Sequence, residues 1–163
     1  MTQENRELVL KDLTYRLRYG VKILHETWNY EWDDEMSLIE RVVGIDEHFV
    51  YTHVIDTHTG EEYREEKHPI ELFDSKMYLR PMSSMTEEEL NECVCQSGIK
   101  DIECPNWQDI PKEKQFEARL NHAIAVFLTD SNNVDWLNAH HFDYRGLIEK
   151  GLALEAKEDM YKN

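Results

Sequence analysis

The feature that most constrains this chain is a change of hydrophobic period at Pro81. Before it, in "HFVYTHVID" (48–56), Phe49, Tyr51, His53 and Ile55 alternate with Val50, Thr52, Val54 and Asp56. After it, Phe116, Leu120, Ile124 and Phe127 recur at helical spacing. Period two sends successive side chains to opposite faces of a strand, whereas steps of three and four gather them on one side of a helix. The chain is therefore read as α+β. A small N-terminal β-rich unit, a curled sheet or open barrel, is expected over 1–80. A mainly helical C-terminal unit packed on it is expected over 81–163.

Within the first unit, "RELVLKDLTYRLRYG" places Leu8, Leu10, Leu13 and Leu17 near one helical face and ends at Gly20, a left-handed cap. Strands are predicted over 21–28, 36–45 and 48–56, with a further one through "EYREEKH" after the Thr59-Gly60 turn signal. "PIELFDSKMYLRPM" is read as leading out of the sheet. Beyond Pro81, Thr86 and Glu89 form a capping box that opens a helix. Residues 98–111 read as a loop, and Pro111 suits the first turn of the helix that follows.

Charge limits the function classes. The formal net charge is −16, from 34 acidic against 18 basic residues. Such a surface repels phosphate backbones, which argues against direct binding to nucleic acid or an anionic membrane. The acids concentrate locally at 31–35, 61–66 and 86–90. They serve either solubility or, if gathered on one face, an acidic decoy for a basic groove. The N-terminus has no basic region and no long apolar run, so a soluble, cytoplasmic protein is expected. Three closely placed cysteines make a poor disulfide framework and agree with that compartment.

The densest unusual chemistry lies in "WLNAHHFDYRGLIEKGLALEA" (136–156). "NNVDWLNAHHF" reads as a helix of about two turns. Asp143 then caps a second short helix, "YRGLIEKG", ended by Gly151, and "LALEA", with Leu152 and Leu154, returns as a strand. Trp136 and the leucines are read as core. His140 and His141 would diverge by about 100° on a helix and so make a poor chelating pair. Asp143 offers a second ligand to His140, but no third is evident. Buried histidines bonded to carbonyls or to Asp143 are the simpler reading, and a ligand or partner contact is the alternative.

Cys93 and Cys95 would fall about 200° apart around a helix. A zinc site from Cys95, Cys104 and His122 is therefore weaker than simple buried thiols. No metal and no cofactor are expected. There is no phosphate-cradling glycine loop, no nucleophile elbow and no helical histidine pair around a glutamate, so no catalytic residue is assigned. "LIEKGL" has the look of the exit of a winged-helix recognition helix, but the acidity and the lack of a basic stripe count against DNA reading.

Three stretches, "DLTYRLRYGVK" (12–22), "YLRPMSSMTEEE" (78–89) and "WLNAHHFDYRGLIEKGLALEA", resemble a family of small proteins frequent in phages and prophages of gut Bacteroidales. That family commonly has proline in "RLPYG", where this chain has Arg18, and "EAPEGMY" where it reads "EAKEDMY". The resemblance implies a setting and carries over no catalytic residue. It implies a phage-encoded or prophage-encoded interaction protein in the host cytoplasm, binding a host or defence protein or a small signalling ligand. An acidic nucleic-acid mimic and a structural or assembly accessory are the alternatives.

Overall fold

The computed structural model describes residues 1–29, 33–96 and 110–161. The loop expected over 98–111, with Cys104, falls almost entirely outside the described residues. Contacts divide the chain into two units: Met1–Arg80 with Arg145–Asn163, and Pro81–Tyr144. The first boundary falls at the change of period. The second unit stops short of the C-terminus, because residues 145–163 return to the first.

The first unit opens with helix α1 (Gln3–Arg16), capped by Thr2, whose hydroxyl accepts from the Asn5 amide at 3.2 Å. Its buried residues are Val9, Asp12, Leu13 and Arg16, at steps of three and four. The inward face is thus centred on Val9 and Leu13, with Leu8, Leu10 and Leu17 on its flanks. A 3₁₀ turn (Leu17–Tyr19) ends at Gly20, whose φ of 67° is left-handed. A β-carbon there would also press on Arg41 Cδ at 3.3 Å, so a tight side-chain contact adds to the backbone strain that glycine avoids.

Six strands follow: β1 (Lys22–Asn29), β2 (Asp34–Ile45), β3 (Phe49–Ile55), β4 (Glu62–Pro69), β5 (Lys76–Leu79) and β6 (Ala153–Glu155). They form one open mixed sheet in the order β4-β3-β2-β1-β5-β6. All pairs are antiparallel except β5 with β6, which is parallel through Met77↔Ala153. A parallel pair needs a long crossover, and here that connection carries the whole second unit. The stretch expected to lead out of the sheet instead contains β5. Met77, Tyr78 and Leu79 are all buried there, so the strand shows no alternation to read.

Register fixes which side chains share a face. Ile23, Glu40, Val54 and Arg64 stand opposite one another across β1 to β4. On this inner face Val21, Ile23, Val42, Val50, Met77 and Leu79 pack with Val9 and Leu13 of α1, and Leu147, Leu152 and Ala153 complete the core. The C-terminal segment is tied down by Tyr161. Its hydroxyl donates to the Tyr78 carbonyl at 2.8 Å and accepts from the Lys22 amide at 3.0 Å.

The second unit contains α2 (Glu87–Gln96), α3 (Lys112–Phe127) and α4 (Ser131–Ala139). The capping box forms: the Thr86 amide donates to Glu89 at 2.9 Å, and the Glu89 amide donates to Thr86 Oγ1 at 3.2 Å. Leu90, Cys93, Leu120, Ala123, Trp136, Leu137 and Phe142 make its core. No helix among the described residues is long and apolar enough to cross a membrane.

Candidate functional site

Inward positions of a strand beside a core are normally apolar. Glu40 breaks that rule: it lies between Leu38 and Val42 on the inner face of β2 and is fully buried. Thr52 of β3 donates to its Oε2 at 2.7 Å, and His68 Nε2 of β4 approaches the same oxygen at 2.7 Å. The carboxylate's Oε1 is buried with no donor among the described residues. Burial opposes its ionisation. The bonds from His68 and Thr52, and the imidazoles nearby, outweigh that and hold Glu40 below the usual carboxylate range.

His25, on the inner face of β1, completes the cluster. Its Nδ1 lies 3.0 Å from the hydroxyl of buried Ser75, and its ring lies 4.3 Å from that of His68, centroid to centroid. β1 and β4 are separated by β2 and β3. Three strand spacings would put them about 14 Å apart in a flat sheet. The ring contact therefore requires a strongly curled sheet. Burial first, then His68, pushes the His25 imidazole down, against the pull of Glu40, Glu66 and Glu26. The arrangement is a proton-holding network, with a hydroxyl at one end and a buried carboxylate at the other.

The outer face of the same sheet is built differently. Arg41 of β2 grips Glu62 with two nitrogens, Nη2 at 2.7 Å, and His53 Nδ1 of β3 meets Glu62 at 2.7 Å. The bond from Arg41, helped by His53, outweighs burial and holds the Glu62 carboxyl down at about 2. Beside this network Tyr51 is exposed, its hydroxyl donating to Asp46 at 2.7 Å, and Lys67 stands 4.9 Å over the Phe49 ring. Val43, Tyr51, His53, Glu65 and Lys67 line an open groove of about 550 Å³.

The residues singled out by sequence fall elsewhere. His140 and His141 are not on a helix: α4 ends at Ala139, His140 is its C-cap, and His141 has a left-handed φ of 58°. His140 stacks on Trp136 with ring centroids 3.8 Å apart, and its Nδ1 lies 2.9 Å from the Trp136 carbonyl. His141, Asp143 and Trp136 are buried. The second short helix expected after Asp143 does not form. Gly146 takes φ of 66°, off the right-handed path, and residues 144–151 make successive turns that end at Gly151, φ 68°. The strand expected after it does form, as β6.

Cys93 is buried and Cys95 exposed on opposite sides of α2, and His122 is half-buried on α3. Burial, with Glu92 nearby, pushes the Cys93 thiol up to about 12, which leaves it unreactive. Among the described residues no three histidines, cysteines or carboxylates are arranged to hold a metal.

Sequence reasoning missed His25, Glu40, Thr52, His68 and Ser75. The signal for three of them was local: a polar residue at an inward strand position with apolar residues two away, as in Leu38-Glu40-Val42, Val50-Thr52-Val54 and Val21-Ile23-His25. Compared with protein-family models, curated proteins and solved structures, the chain matches none.

Proposed function

We propose that this chain acts by binding, as a phage-encoded or prophage-encoded protein that engages a host or defence protein, or a small signalling ligand, in the host cytoplasm. The observation that carries the reading is the outer face of β2–β4. A half-exposed apolar ground of Ile39, Val43, Phe49 and Ile55 bears an exposed tyrosine, and a fixed Arg41–Glu62–His53 network lies beside it. Aromatic residues on a preorganised polar frame are what protein interfaces use as anchors. An acidic nucleic-acid mimic is less well supported. Glu62 is held by Arg41 and His53, and Glu66 by Arg64 at 2.7 Å, so these carboxylates of β4 are not presented as a bare row.

The test is affinity capture from Bacteroidales host lysate, with mass spectrometry of both proteins and small molecules. The reading predicts a saturable partner. Its capture falls about tenfold or more when Tyr51→Ala and Lys67→Ala are combined, as expected for loss of an interface anchor. Hydrolysis of a nucleotide panel by the purified chain, or capture indifferent to those substitutions, contradicts it.

A further inference from the structure

The contact between His25 and His68 joins strands that are not neighbours in the sheet. It ties the two sides of the curl together across the inner face. His68 Nε2 faces the Glu40 carboxylate and so carries its hydrogen toward it, with Thr52 Oγ1 at 3.2 Å alongside.

We propose that this ring contact is an acid-released latch: the closed curl accommodates an uncharged His25 ring against that of His68, and a proton arriving on His25 parts the rings and frees β4 from β1.

The groups facing His25 show why that proton has no place in the closed form. Glu40 of β2 is already engaged by His68 and Thr52. From β4 come His68 itself and Glu66, the latter held by Arg64 at 2.7 Å. Glu26 is its neighbour on β1 and is exposed. Ahead of β5 stands the neutral Ser75, and Phe73 packs its ring 6.3 Å from that of His68. Arg6 of α1 donates to the carbonyl of Phe73, the residue whose ring packs on His68, at 3.1 Å, and it brings a positive charge. A charge on His25 would be half-buried against the His68 ring, and apart from the engaged Glu40 no buried anion is present among these groups to balance it.

The direction of the pH dependence follows. His25 is depressed in the folded chain, so the unfolded chain takes that proton first, near the usual imidazole value of about 6.5. The stabilising contribution is complete above about 6.5 and is lost as pH falls through the folded value. Glu40, also depressed, begins to lose its contribution only below about 4.3, so the interval from pH 7.5 to 5 isolates the histidines.

The experiment is an NMR titration of the intact chain with parallel thermal melts. The expected result has three parts. Cross-relaxation between the two rings is present at pH 7.5 and gone when His25 is protonated, His25 titrates below about 6.5, and the melting temperature falls over the same interval. His25→Phe keeps a ring and removes the proton site, so its melting temperature stays level from pH 7.5 to 5. Ring contact that persists after His25 is protonated overturns the proposal, as does His25 titrating at or above the free imidazole value. If His25→Phe does not fold, the wild-type titration alone decides.

Discussion

Asp12 is the residue whose loss should cost the first unit most. It is fully buried on α1, accepts a hydrogen bond from Arg16 Nε at 2.6 Å, and forms an ion pair with Arg145, whose Nε lies 2.8 Å from its other carboxylate oxygen. Arg16 is itself fully buried, whereas Arg145 is 24% exposed. Asp12→Ala removes the carboxylate bonded to the fully buried Arg16 guanidinium, whereas Arg145 can turn to solvent. Removing one member of a buried pair costs about 3–5 kcal/mol, a large share of a total folding stability of about 5–15 kcal/mol. With a urea slope of about 1–3 kcal/mol/M, the unfolding midpoint should drop by at least about 1 M. Circular dichroism against urea measures it, with the two units fitted separately if two transitions appear. The control is Asp12→Leu with Arg16→Met, which removes both charges and keeps the volume. It should lie within about 1 kcal/mol of wild type, or above it. A single-mutant cost under about 0.5 kcal/mol, or a double mutant less stable than Asp12→Ala, would refute the reasoning, since the cost assigned here comes from removing one member of a buried ion pair.

Asn133 of α4 is fully buried with neither side-chain polar atom bonded among the described residues, so Asn133→Leu should stabilise by about 1–2 kcal/mol in the same assay. Gly151→Val should destabilise by about 1–2 kcal/mol. A β-carbon there meets nothing within 4 Å, so left-handed backbone strain is the sole cause, and Gly151→Asn should recover part of the loss. Glu62, held at about 2, contributes stability that is complete above the usual carboxylate value and is lost as pH falls through about 2. Thermal melts between pH 5 and pH 2 should therefore fall less steeply in Glu62→Gln than in wild type.

What the sequence revealed was what short-range pattern encodes. β2, β3 and β4 alternate or are bounded by turn residues, the Thr86–Glu89 box opens α2, and Gly151 sits in the left-handed region it was assigned. What it concealed depends on distant pairing. β5 is four residues long and buried on both sides, and β6 has meaning only beside β5, from which the whole second unit separates it in sequence. The unit boundary at 144/145 follows from that pairing and from no local signal. Asp12 and Arg16, four apart on α1, have the spacing of a solvated ion pair, and only the sheet and the returning Arg145 make them interior. The attention drawn to His140 and His141 rested on helical geometry that both residues escape. The histidines that meet, His25 and His68, are 43 positions apart and are brought together by the curl of the sheet.

Binding through the outer face is the central claim, and titration of the captured partner against paired variants tests it most directly. Tyr51→Ala with Lys67→Ala should weaken affinity by about tenfold or more at an unchanged melting temperature. His140→Gln and His141→Gln, which belong to the second unit, where His141 is buried and His140 is stacked on Trp136, should leave affinity within about twofold, the small effect expected of residues outside an interface. The opposite pattern, binding lost with the histidines and kept with Tyr51 and Lys67 removed, would contradict the account and move the site to the second unit.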